Sequence, residues 1–330
     1  MLVRKMGMGK ALFSGVYGLN VIGIAMALCL CLFAVEFSRA ELVPVPPLIL
    51  TYHNGPVLSS ATPIKLYLLF YGSFSSSYKS TIREFLASFI ASSNSKGPPT
   101  VAKWWSLTKG YVDLYGASVS QRIELSGVTT DAHYTRGKIL KEDDISSLVI
   151  SSLKIFPKDS KAIYLILTAA DVSVEGFCQN TCGEHFYTYP SSHSAWQMLP
   201  YAWVGNSETQ CPGFCAWPYA KTEFGPNTEP LLAPNGVGVD GMIITIAKVL
   251  AGGATNPYGN AYYQGDASAA LEAAGACSSS YGPGAYPGYP GDLLKDNKTG
   301  ASYNVEGVMQ RKFLVPWIWN PKTLACAGQP

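Results

Sequence analysis

Charge is scarce in this chain. Only 14% of its 330 residues are Asp, Glu, Lys or Arg, and 24 basic against 22 acidic side chains leave a formal charge of +2. Without a basic surplus there is no electrostatic footprint for nucleic acid, and 48% hydrophobic residues exclude a disordered, solvated chain. Histidine is rarer still, at His53, His133, His185 and His193, and neither His-Glu-x-x-His nor Gly-x-Ser-x-Gly occurs. The helical zinc-hydrolase signature and the α/β-hydrolase nucleophile elbow are therefore both missing. No repeat of fixed period is visible, and no second long run of apolar residues stands out beyond the N-terminus. A glycosidase would need two apposed carboxylates, and among the scattered acids no pair distinguishes itself.

What is present begins with the first 40 residues. Arg4, Lys5 and Lys10 precede a charge-free run from Ala11 to Val35, followed by Ser38-Arg39-Ala40. A basic start, an apolar stretch and a small-x-small ending describe a secretory signal peptide over 1–40, with cleavage after Ala40; an uncleaved anchor is the competing reading. Removing that segment takes away Arg4, Lys5, Lys10, Arg39 and Glu36, leaving 20 basic and 21 acidic residues. The mature chain is near neutral, and the mean hydropathy of +0.12 is concentrated in its leader.

Six of the eight cysteines remain after export: Cys178, Cys182, Cys211, Cys215, Cys277 and Cys326. An even count in an oxidising compartment reads as three disulfides whose connectivity spacing does not determine; a four-thiolate metal knot from the two Cys-x-x-x-Cys pairs is the alternative.

Periodicity supplies a coarse layout. Ile64–Tyr71 (IKLYLLFY) and Ala162–Thr168 read as buried strands, Gln121–Leu125 as an alternating one, and Ser77–Ser92 and Asp143–Lys154 as helices. The expectation is an α/β fold, a single layered domain over 41–330 with a sheet covered by helices and long disulfide-braced loops. Gly241–Leu250 is expected as a buried helix capped by Asp240 and stopped by Gly252-Gly253. Lys248 in so apolar a helix must snorkel, pair with Asp240 or Glu272, or titrate abnormally; snorkelling is expected.

Several phrases exceed what composition explains: Tyr52-His53-Asn54-Gly55, Trp104-Trp105, Trp203-Val204-Gly205-Asn206-Ser207, Cys211-Pro212-Gly213-Phe214-Cys215-Ala216-Trp217-Pro218 and Val239-Asp240-Gly241-Met242. In this order they resemble the plant EXORDIUM-like, or phosphate-induced, protein family across about Thr51 to Cys326. The resemblance implies a secreted protein of the apoplast and cell wall, associated with brassinosteroid- and nutrient-linked control of cell expansion and growth. It implies no known reaction. A cell-wall carbohydrate-active hydrolase or a carbohydrate-binding wall protein is the alternative.

Met242–Pro257 is also similar to the helix of secreted zinc-peptidase-like proteins, which would make the fold a degenerate member of that group. On that pattern Lys248 stands where a ligand His belongs, Val249 at the catalytic Glu, Gly252 at the second acid, and Asn256 replaces an Asp. A hydrolytic zinc needs about three His or carboxylate ligands, so no catalytic residue, metal or cofactor is expected.

Weaker signals complete the reading. Gly236-x-Gly238-x-x-Gly241 matches a dinucleotide fingerprint, but no strand precedes it. His185 and His193 near Glu184 could form a metal site, although structural or solvated histidines are the expectation. Asp171 and Glu175 follow a strand, where α/β sites gather. Trp104, Trp105, Trp196, Trp203, Trp217, Tyr281, Tyr286 and Tyr289 could stack on sugars, a core role being expected for each tryptophan. Asn297-Lys298-Thr299 is a glycosylation sequon. The expected partner is a cell-wall component or extracellular protein, with no nucleic acid and no membrane once the leader is removed.

Overall fold

Tyr67, Leu69 and Tyr71 point to one side of strand β1 (Ile64–Tyr71), and Leu66, Leu68 and Phe70 to the other; both sets are buried. That continuous apolar run belongs to a strand covered on both faces. The computed structural model describes residues 47–59, 61–90, 97–222 and 229–329. The expected signal peptide over 1–40 lies outside them, as do the last two residues of the expected helix Ser77–Ser92.

Around β1 the chain builds a five-stranded sheet from β2 (Ile123–Asp131), β3 (Ile163–Thr168), β4 (Gly183–Tyr187) and β5 (Pro200–Gly205), in the order β2-β1-β3-β5-β4. The first four strands are parallel, and β4 closes one edge antiparallel to β5. Helix α1 (Ser76–Ala87) and helix α3 (Val237–Thr255) cover one face, and α2 (Glu142–Ser152) the other. The same alternation divides β3 and β5. Ile163, Leu165, Leu167, Ala202 and Val204 join the core beneath α1 and α3, while Tyr164, Ile166, Tyr201 and Trp203 join the core beneath α2. The layered α/β expectation therefore holds for the described residues.

Helix α3 differs from its expected form. It starts at Val237 rather than Gly241, with Gly236 as its N-cap at φ 118°. Asp240 lies inside the first turn, where its carboxylate accepts from Asn235 N at 2.7 Å and Asn235 Nδ2 at 2.8 Å. The helix also runs through Gly252-Gly253 to Thr255, because those glycines answer to packing and not to termination. Gly238 and Gly241 fit close approach too: a Cβ on Gly241 would lie 2.6 Å from Ala216 Cβ, which accounts for the fingerprint-like spacing without a phosphate. By length and composition α3 could cross a membrane, yet 89% of its most apolar window is buried inside the fold.

All six cysteines are joined, as Cys178–Cys211, Cys182–Cys215 and Cys277–Cys326. The four-thiolate metal alternative falls because those sulfurs are bonded in pairs. The first two bridges lie side by side, with Cys211 Sγ and Cys215 Sγ 3.7 Å apart, and both tie the segment before β4 to the turn after β5.

Candidate functional site

The C-terminal half of α3 meets β4 at a recess of about 600 Å³. Lys248, Val249 and Gly252 line it from the helix, Glu184, His185 and Tyr187 from the strand, and Leu271 and Glu272 from the loop opposite. The helix positions of the degenerate zinc-peptidase-like motif thus do face one cavity.

The recess holds a histidine and an acid that come from elsewhere in the chain. His185 Nε2 donates to Glu272 Oε2 at 2.5 Å, and Asn256 Nδ2 donates to the other Glu272 oxygen. Asn256, fully buried just beyond the helix, also accepts from Ala261 N through its side-chain oxygen at 2.6 Å. Gly252 makes this arrangement possible. A Cβ there would stand 2.7 Å from His185 Nε2 and 2.9 Å from Glu272 Oε2, so the absent helix side chain leaves the volume that the pair fills.

Electrostatics follow from burial and neighbours. Burial disfavours the His185 imidazolium, but the Glu272 carboxylate, assisted by Glu184, outweighs it and lifts the pKa above the ordinary histidine value. Loss of hydration raises Glu184, with Glu142 adding to the effect, and lowers Lys248 against the pull of Glu272. Lys248 is the only exposed residue of α3. Its exposure on an otherwise buried helix is compatible with the snorkelling expectation. It makes no ion pair among the described residues, and Asp240 is instead held at the other end of the helix. There, burial pushes the Asp240 carboxyl up to about 7, opposed by the Asn235 hydrogen bonds and the charge of Arg311.

On the Glu272 side the arrangement is closed, while His185 Nδ1 is buried without a hydrogen-bond partner among the described residues. Both Glu272 oxygens are engaged, and no group of three or more His, Cys, Asp or Glu side chains capable of holding a metal occurs among the described residues. His193 sits in a surface turn, Ser192–Ser194, and does not line the recess. Asp171 is bound by Lys138 Nζ at 2.6 Å and Tyr134 Oη at 2.9 Å, which hold its pKa below the ordinary carboxylate value, and Glu175 is exposed apart from it. Trp104, Trp105, Trp203 and Tyr281 are buried core residues. Trp196 and Tyr286 are exposed, at 73% and 64%, whereas Trp217 and Tyr289 line a separate apolar cavity of about 340 Å³. Asn297 is exposed beside a turn in which Asp296 Oδ1 accepts from Lys298 N and Thr299 N.

Sequence reasoning considered His185 with His193 and Glu272 only as a partner for Lys248; their pairing across 87 residues had no local sign. The one available clue was Gly252-Gly253, two small residues inside an otherwise bulky apolar helix.

Residues 50–329 match the family described as the phosphate-induced protein 1 conserved region. The chain is 45% identical over 285 residues to Protein PHOSPHATE-INDUCED 1 of Nicotiana tabacum, covering 84% of this chain and 88% of that one. It is 42% identical to Protein EXORDIUM-like 1 of Arabidopsis thaliana, over 84% of this chain and 88% of the relative, and 41% identical to Protein EXORDIUM, over 91% and 96%. No solved structure matches it. With the match spanning both the sheet and the α3 recess, the chain belongs to the phosphate-induced, or EXORDIUM-like, family of plant proteins.

Proposed function

We propose that this protein is exported and acts in the apoplast and cell wall as a non-catalytic factor in brassinosteroid- and nutrient-linked control of cell expansion, with the α3 recess as its binding surface. The observation that carries this reading is the closed set of His185, Glu272 and Asn256 beneath Lys248 and Val249. A peptidase-like site needs an open metal position and a free general base, and here both oxygens of the acid are engaged and the histidine is tied to it through Nε2. Three disulfides, a near-neutral mature chain and an exposed sequon at Asn297 support export. Protein recovered from apoplastic washes of plants expressing the full chain tests it. The mature N-terminus should follow Ala40, Asn297 should carry a glycan, and fluorogenic peptide and wall-polysaccharide substrates should remain uncut. Cleavage that disappears in His185→Ala would overturn the non-catalytic reading.

Exposed Trp196 and Tyr286 favour a second reading, a carbohydrate-binding wall protein. Glycan-array binding abolished by Trp196→Ala or Tyr286→Ala is its expected signature.

A further inference from the structure

Five consecutive residues, Gly183 to Tyr187, line the α3 recess. Because strand side chains alternate between faces, consecutive residues share one cavity only when it runs along the edge of the strand. His185 and Tyr187 lie on the α3 side, while Glu184 and Phe186 lie on the α2 side with Glu142. The cavity is therefore a groove along the outer edge of β4.

Two hydrogen bonds fix the phase of that edge. Gly205 N donates to Cys182 O at 3.1 Å, and Thr188 N donates to Leu199 O at 3.0 Å. The even-numbered residues of this stretch thus turn their backbone groups towards β5, and Gly183, His185 and Tyr187 turn theirs outwards. Thr181 Oγ1 caps Gly183, donating to its carbonyl at 2.9 Å and accepting from its N–H at 3.1 Å. No described residue pairs with the outward N–H and C=O of His185 or Tyr187. An uncovered strand edge is a template for another strand.

We propose that this groove takes an extended peptide segment of an extracellular partner, which adds to β4 as a sixth strand and sets a Lys or Arg side chain against Glu142 and Glu184. The inference rests on the reading of the recess as a binding surface and names its occupant. Charge complementarity selects that occupant. Glu142 and Glu184 both line the groove on its α2 side, and neither has an ion-pair partner among the described residues. Phe186, 42% exposed and stacked on Tyr187 at 4.5 Å, offers an apolar wall for the stem of a long basic side chain. Neighbouring peptide residues alternate to the other face, where exposed Lys248 suits an acidic side chain. Backbone pairing supplies affinity, and the alternate side chains supply specificity.

An array of unstructured decapeptides with randomised centres, probed with the full secreted chain, tests this beside oligosaccharides of glucan and galacturonan. Lys and Arg should be enriched among the captured peptides. Proline walked through a captured peptide should weaken binding at alternate positions by about tenfold or more and spare those between, since only alternate amides face β4. Deuterium exchange should slow at the His185 and Tyr187 amides. Glu142→Gln with Glu184→Gln should remove the basic preference while leaving the alternating proline pattern. Capture of no peptide, capture of saccharides alone, or uniform tolerance of proline would overturn the proposal. Cleavage of a captured peptide would contradict the non-catalytic reading and leave the groove assignment standing.

Discussion

A Cβ on Gly252 would stand within 3 Å of both His185 and Glu272, whose side-chain ends can give way only by disturbing the hydrogen bond between them. Gly252→Ala should therefore cost about 1–3 kcal/mol of stability despite its better helix propensity, read as a lowered thermal midpoint. Two buried groups give the protein a pH dependence. Folded Asp240 keeps its proton up to about 7, whereas the unfolded chain releases it near 3.8, so its contribution is full below that lower value and fades as pH rises through the interval. His185, raised by Glu272, contributes fully below the unfolded histidine value and loses that contribution as pH climbs through its folded pKa. Both effects act in one direction: unfolding free energy from urea titration should fall from about pH 4 to about pH 7 as Asp240 ionises, and further as pH climbs through the folded pKa of His185. Asp240→Asn should flatten the lower limb, and Glu272→Gln should flatten the upper one. A profile rising across that range would contradict both assignments.

Among the elements, the runs that could be read were those whose burial is written in continuous apolar sequence. Ile64–Tyr71 and Ile163–Thr168 were legible because strands covered on both faces are almost continuously apolar, exposed Lys65 near the start of the first being the one charged residue in either. β5, Pro200–Gly205, is as fully buried but lies among cysteines and prolines, and β4, Gly183–Tyr187, is a polar edge strand. Both went unread, and with them half of the recess. Helix α3 was recognised but drawn too short, since glycine signals both a stop and a close contact and only the neighbours distinguish the two. The loop that brings Glu272 to His185 has no regular pattern, so the site could be assembled only in three dimensions. The Cys277–Cys326 bridge lies just beyond that loop and closes a span of 49 residues. Replacing both cysteines with serine should lower stability by about 2–4 kcal/mol in chemical denaturation.

For the whole molecule, a formal charge of only +2 agrees with a folded body rich in apolar residues. The chain's most membrane-like described helix is its interior: seventeen of the nineteen residues of α3 are buried. His185 and Glu272 pair beside Lys248, Val249 and Gly252 of α3, and the surrounding groove is proposed as a place to bind and not to cut. Elemental analysis of the exported protein, followed by calorimetric titration with zinc at neutral pH, tests this most directly. No stoichiometric zinc and no binding isotherm that depends on His185 are expected. One tightly bound zinc per chain, lost in both His185→Ala and Glu272→Gln, would contradict it.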